Sequence, residues 1–322
     1  MNNKIRRILS ALVCVALLVT MAIPAMAEEK VYHVGIVQLV EHNALDAATQ
    51  GFEDALKEKL GDQVEFDYQN AQGEVANCAT IATKFVNDGV DLIMANATPA
   101  LTAVCAATGD IPILGTSVTD YVAAGVLEDS EHPGGNVSGT SDMAPIDQQI
   151  AMLQELCPEA KTVGIVYCSS EANSEFQANK AEEYLKNAGL TVNRYTVSDS
   201  SEIQTVVTKA VSEVDCIYIP TDNTLADNMG IVKDITVPEK MPVIAGEENM
   251  CGNGGLATLS ISYYDLGYVT GEMAYEILVE GANVGDMSVR YAAAVTRKYN
   301  PEIAEALGMT MPEDMVAIEK AE

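Results

Sequence analysis

The chain has no tryptophan, four phenylalanines and three histidines in its 322 residues. With only His33, His42 and His132, and with neither a His-x-x-x-His pair nor a Cys-x-x-Cys pair, local spacing offers no zinc-type ligand set. The Gly-x-Ser-x-Gly elbow and the Walker loop are missing too, which removes the usual hydrolase and nucleotide-triphosphatase signatures. His42 beside Glu41 could do acid–base work, but no nucleophile partner is identifiable, so ligand contact or loop structure is the better reading. No enzyme, cofactor or metal centre is therefore expected. Basic residues are scarce: 18 Lys and Arg stand against 47 Asp and Glu, a formal charge of −29. Such a polyanion repels nucleic acid and anionic lipid, so no nucleic-acid partner is expected. An acidic soluble surface explains the charge and says nothing about a ligand.

Long apolar runs are also lacking, except one from Ile8 to Ile23. It follows Lys4, Arg6 and Arg7 and ends in Pro24 and Ala25-Met26-Ala27, the pattern of a secretory signal peptide cleaved after Ala27. The run is short for a membrane span. No small residue stands just before Cys14, which disfavours a lipid-anchored cysteine, so the mature chain is expected to be exported to the periplasm or outer cell surface. The other six cysteines, Cys78, Cys105, Cys157, Cys168, Cys216 and Cys251, are scattered without framework spacing and read mostly as buried free thiols.

What the chain does have is repetition. From Val34 on, β-branched runs alternate with amphipathic ones, as βαβ units and a mostly parallel sheet require. Strands are expected at Val34–Leu39, Val64–Asn70, Leu92–Asn96, Ile113–Thr116 and Val137–Gly139. The rhythm restarts after Asp142 with Thr162–Cys168, Leu190–Val197, Cys216–Pro220 and Val243–Ala245, followed by a helix at Leu225–Ile235 in their midst and a last strand near Ser288–Val295. Gly164-Ile-Val-Tyr-Cys168 echoes Gly35-Ile-Val-Gln-Leu39, which favours two lobes of one design.

Small and polar clusters close the predicted strands, where open α/β sheets bind their ligands. The first half offers Gln38 with Glu41 and His42, then Thr98, then Ser117 and Thr119; the second offers Glu171 and Asn173, then Asp222 and Asn223, then Glu247. Thr98 before Pro99 is an N-cap pattern, and the amides of that helix start suit a carboxylate. A ligand ammonium needs several acceptors, which Glu171, Asp222 or Glu247 can supply. Any one cluster alone reads as cap chemistry; six at six strand ends are harder to dismiss.

Gly35-Ile-Val-Gln-Leu-Val-Glu-His42, Ala71-Gln-Gly73, Ala97-Thr-Pro-Ala100, Pro133-Gly-Gly-Asn-Val-x-Gly-Thr-Ser-Asp142, Ser170-Glu-Ala-Asn-Ser174, Pro220-Thr-Asp-Asn223 and Gly246-Glu-Glu248 together resemble the TrpX-type substrate-binding proteins of ABC transporters. The resemblance implies a type I periplasmic-binding fold: α/β, with two doubly wound parallel-sheet lobes joined by a multi-strand hinge. It implies a first lobe at 28–141 completed by about 262–290, and a second at 142–261 completed by about 291–322. It further implies an importer's receptor, monomeric, closing on a small amino acid, an aromatic one in several members, and delivering it to the permease's transmembrane subunits. A sugar or nucleoside receptor, or a ligand sensor of the same fold, is the alternative. Tyr121 stands where relatives carry proline after Thr119-Asp120; it could stack on a ligand ring or only cover the lobe.

Overall fold

The first apolar run forms β1 (Tyr32–Gln38), buried continuously from Val34 onward, as a parallel strand covered on both faces must be. The computed structural model describes residues 30–292 and 294–319; the signal peptide expected at 1–27 lies outside them. After β1 come α1 (Asn43–Leu60), β2 (Val64–Asn70), α2 (Val75–Asp88), β3 (Leu92–Asn96), α3 (Thr98–Ala107), β4 (Ile113–Val118) and β5 (Val137–Ser141). The second half runs α4 (Ile146–Leu156), β6 (Thr162–Cys168), α5 (Ala172–Asn187), β7 (Thr191–Val197), α6 (Ile203–Val211), β8 (Cys216–Ile219), α7 (Asn223–Asp227), α8 (Met229–Thr236), β9 (Val243–Ala245), α9 (Glu248–Asn253) and β10 (Ala257–Ser260). Then follow α10 (Tyr263–Leu278), β11 (Arg290–Tyr291), β12 (Thr296–Tyr299), α11 (Pro301–Leu307) and β13 (Val316–Ala317).

The strands form two sheets, ordered β11-β5-β4-β3-β1-β2 and β13-β12-β10-β9-β8-β6-β7. Every pairing is parallel except β10 with β12. Their five-strand cores share one order, with the switch between β1 and β3 in one and between β6 and β8 in the other. Carboxyl edges at such switch points form the crevice of doubly wound sheets. Both faces of each sheet are packed. Phe85, Ile93 and Leu101 cover one side of the first and Ile36, Phe52, Met94 and Met273 the other; Leu153, Ile165 and Leu185 oppose Val166, Val207 and Met229 about the second.

The chain passes between the sheets three times. It leaves the first after β5, leaves the second after β10 for α10, and passes from β11 on the first to β12 on the second. The single strand expected near Ser288–Val295 is thus two short strands on different sheets, because the third crossing falls there. The helix expected at Leu225–Ile235 is broken at Asn228, whose φ of −121° and ψ of 18° leave the helical basin and whose side chain caps back onto the Thr224 carbonyl at 2.8 Å. Helix α10 lies on α1 at glycine contacts. A Cβ on Gly267 would stand 1.8 Å from the Ala48 carbonyl oxygen, and one on Gly51 would stand 2.1 Å from that of Tyr264. Neither could be accommodated without moving a helix.

Candidate functional site

The facing edges of the two sheets enclose a slot of about 10 Å³, lined among others by His42, Leu45, Ser117, Thr119, Asp142, Asn173, Asp222, Glu247 and Tyr263. That space holds about one water. At Asn223 the slot meets a wider cavity of about 400 Å³ at the cleft mouth, walled by Leu39, Val40 and Pro99 on one side and Glu171, Ser198 and Thr224 on the other.

Local backbone geometry aims the first-lobe groups. Ala97, just beyond β3, has φ 93°, and Ser117, near the end of β4, has φ 54°. Left-handed values at non-glycine residues store strain of about 1–3 kcal/mol each and concentrate at functional sites. The register of β4 on β5 shifts between Gly115 and Val118, a bulge that turns Ser117 out of the ladder. Ser141 Oγ then donates to the Thr119 carbonyl at 2.7 Å, and the Asp142 amide donates to the Val118 carbonyl at 3.1 Å. Asp142 is thereby held beside Thr119, buried, with Oδ2 accepting from the Tyr263 hydroxyl at 2.8 Å. Burial raises its carboxyl above the ordinary range, against the pull of that hydroxyl.

The second-lobe carboxylates are engaged differently. Asp222 Oδ1 accepts from the Leu225 amide at 2.8 Å, capping α7, and Oδ2 accepts from the Cys168 amide at 2.6 Å. Glu247 caps α9 through the Asn249 and Met250 amides at 2.7 and 2.5 Å. Glu171 Oε1 takes the amide and hydroxyl of Thr224, each at 2.8 Å, and Oε2 takes the Asn223 amide at 3.1 Å and side chain at 2.7 Å. Burial first, and the Glu171 charge second, push Asp222 up to about 7, while burial pushes Glu247 to about 7.

Among the described residues, four buried atoms of the slot have no hydrogen-bond partner: His42 Nδ1, Ser117 Oγ, Asp142 Oδ1 and Asn173 Oδ1. Leaving a buried polar group unpaired costs about 1–3 kcal/mol, so four on residues that line one narrow slot make it the candidate place for a ligand's polar groups. Contacts that bridge the lobes here include Gln177 Nε2 to Thr119 Oγ1 at 3.4 Å and His42 Nε2 with Asn223 Oδ1 at 3.5 Å.

Of the residues singled out from sequence, Ser117, Thr119, Asn173, Asp222, Asn223 and Glu247 line the slot. Glu171 lines the mouth. Thr98 is buried at the start of α3, with its Oγ1 3.5 Å from the Thr119 amide, and lines neither cavity. Gln38 turns sideways, its Nε2 donating to Asp46 at 2.6 Å and its Oε1 accepting from Thr49 at 2.6 Å, while Glu41 is exposed and lines neither cavity. Tyr121 is in the first-lobe core, its hydroxyl donating to the Thr140 carbonyl at 3.0 Å. Sequence reading passed over Asp142, Tyr263, Leu45, Ala226 and Met250 as slot residues. The signal for Asp142 was available, since it too is a carboxylate just past a strand, in Gly-Thr-Ser-Asp142.

The profile of ABC transporter substrate binding proteins matches residues 33–321. A tyrosine-binding protein of Clostridioides difficile (strain R20291) is 42% identical over 284 residues, 87% of this chain and 82% of the relative. An ABC domain from Streptococcus pneumoniae, solved in complex with L-Trp, superposes with a TM-score of 0.85 at 37% identity, covering 88% of this chain and 97% of that one. A Clostridium difficile substrate-binding protein with adhesive properties, in its ligand-free, open structure, gives 0.70 at 42% identity, covering 90% and 100%.

Proposed function

The chain belongs to the ABC transporter substrate-binding protein family, and on that premise we propose that it is the extracytoplasmic receptor of an importer, closing by hinge motion on an aromatic L-amino acid. Family membership makes it a binding protein and not an enzyme. The observation that carries the amino acid reading is the unpartnered Oδ1 of buried Asp142, in the same slot as the unpartnered Asn173 Oδ1. Carboxylate and amide oxygens only accept, and an ammonium with three donors is their natural complement. The hydroxyls of Ser117 and Thr119 supply donors for the α-carboxylate, with Thr98 buttressing the Thr119 backbone. Asp222, Glu247 and Glu171 spend their oxygens on capping and crosslinking the loops, so they shape the wall and leave the ammonium to Asp142.

The dimensions support closure. A slot of about 10 Å³ admits an amino acid only when the lobes part, and the three crossings are the hinge about which they would do so. Relatives named for tyrosine and solved with tryptophan support an aromatic ligand, and the apolar Leu45, Ala226 and Met250 give its ring a wall. Delivery to the transmembrane subunits of a permease and residence outside the cytoplasm belong to the same proposal. Calorimetric titration of ligand-stripped protein against the common amino acids tests it. Binding of an aromatic member is expected, and binding of none would overturn the substrate assignment.

A further inference from the structure

We infer that His42, oriented from across the cleft by Asn223, accepts a hydrogen bond from a donor on the ligand's ring, so that the chain takes phenol- or indole-bearing amino acids in preference to phenylalanine. This rests on the aromatic amino acid reading above.

The orientation begins at Glu171. Its Oε2 accepts from Asn223 Nδ2 at 2.7 Å, which turns the amide so that Oδ1 faces His42 Nε2 at 3.5 Å. An amide oxygen can only accept, so the hydrogen of the neutral imidazole sits on Nε2 and the lone pair on Nδ1. Burial lowers the His42 pKa, outweighing the Asn223 bond and the carboxylates of Asp46, Asp227 and Glu171, so the ring is neutral near pH 7. Nδ1 is thus a buried acceptor with no partner among the described residues. Its surroundings say what kind of group it would meet. Ala44 and Leu45 stand two and three residues after His42, Ala226 lies one turn beyond Asn223, and with Met250 these are the apolar members of the slot lining. The free carboxylate comes from the β5 end, and the hydroxyls come from the β4 end, the start of α10 and Thr221 beyond β8. An apolar wall takes the ring, and the acceptor set in it reads a donor on that ring. Phenylalanine would bury Nδ1 unpaired, the arrangement by which sites built to bond a hydroxyl reject the analogue lacking it.

The test is calorimetric titration of the full chain with L-tyrosine, L-tryptophan and L-phenylalanine. Two near-isosteres join them: para-fluoro-L-phenylalanine, which fills the phenol position without a donor, and benzothienylalanine, in which sulfur replaces the indole N–H. Tyrosine or tryptophan is expected to bind about 10- to 100-fold tighter than phenylalanine and than its own isostere, and the two arms show which donor is read. In His42→Phe the gap is expected to close through loss of affinity for the donor-bearing ligand. Should that variant not fold, the ligand series on the unaltered chain decides alone. Phenylalanine binding within about twofold of both donors, or a preference that persists in His42→Phe, would overturn the inference and leave the aromatic reading standing. No binding by any of these ligands would overturn the aromatic reading itself.

Discussion

The two edges of the cleft carry similar side chains and use them in opposite ways. On the second-lobe edge, Glu171, Asp222 and Glu247 stand at helix starts with both oxygens taken by amides and hydroxyls. On the first-lobe edge, Ser117 Oγ and Asp142 Oδ1 are just as buried and have no hydrogen-bond partner among the described residues. A carboxylate past a strand end is therefore a cap or a ligand group according to how its lone pairs are occupied, and its charge and position do not distinguish the two.

The sharpest way to break this contrast is Asp142→Asn. Removing one partner of a buried charge pair costs about 2–5 kcal/mol, so amino acid affinity should fall by more than tenfold in calorimetry while the chain stays folded. An equal loss from Glu247→Gln would erase the difference between the edges. A smaller effect is expected from Ser117→Gly. Binding should weaken by about 0.5–1.5 kcal/mol with the hydroxyl gone. Thermal stability should rise by about 1 kcal/mol, because the φ of 54° suits glycine.

A last effect concerns pH. Asp222 and Glu247, each near 7, hold a proton more tightly folded than unfolded, where carboxyls titrate at about 4. Folding takes up protons within that window, so stability is greater at its acid end and declines as pH rises toward about 7. Glu247→Gln should flatten the decline in melting temperature, and an unchanged slope would show that this edge does not carry it.

The fold was legible because its signals are local and repeated: β-branched runs such as Val34–Val37 and Ile217–Ile219, and a buried stripe through Leu45, Phe52 and Leu56. Two lobes of one order were readable from the restart after Asp142. The site was legible as a set of strand ends and less so as a set of contacts. Side chains alternate across a strand, so Gln38 at the end of β1 turns toward Asp46 and Thr49, and Glu41 in the loop beyond faces solvent. In the sequence Asp142 only marks where the rhythm restarts; that one of its oxygens is taken by Tyr263, 121 residues away, while the other is left over appears only in the fold. Pairing of that kind is tertiary information.

The glycine contact between α1 and α10 has a kinetic consequence. With Gly51 and Gly267 pressed onto the opposing helix, Tyr263 at the head of α10 travels with the first lobe, to which the Asp142 amide is also bonded through Val118. On the proposed reading, the Asp142 acceptor would be assembled before the second lobe closes on the ligand. Capture should belong to one half of the molecule and retention to the other. Asn173→Ala should leave the association rate near its original value and shorten the residence time, as most interface changes act on dissociation. Because the chain has no tryptophan, the indole emission of a tryptophan ligand would report both rates without a competing signal.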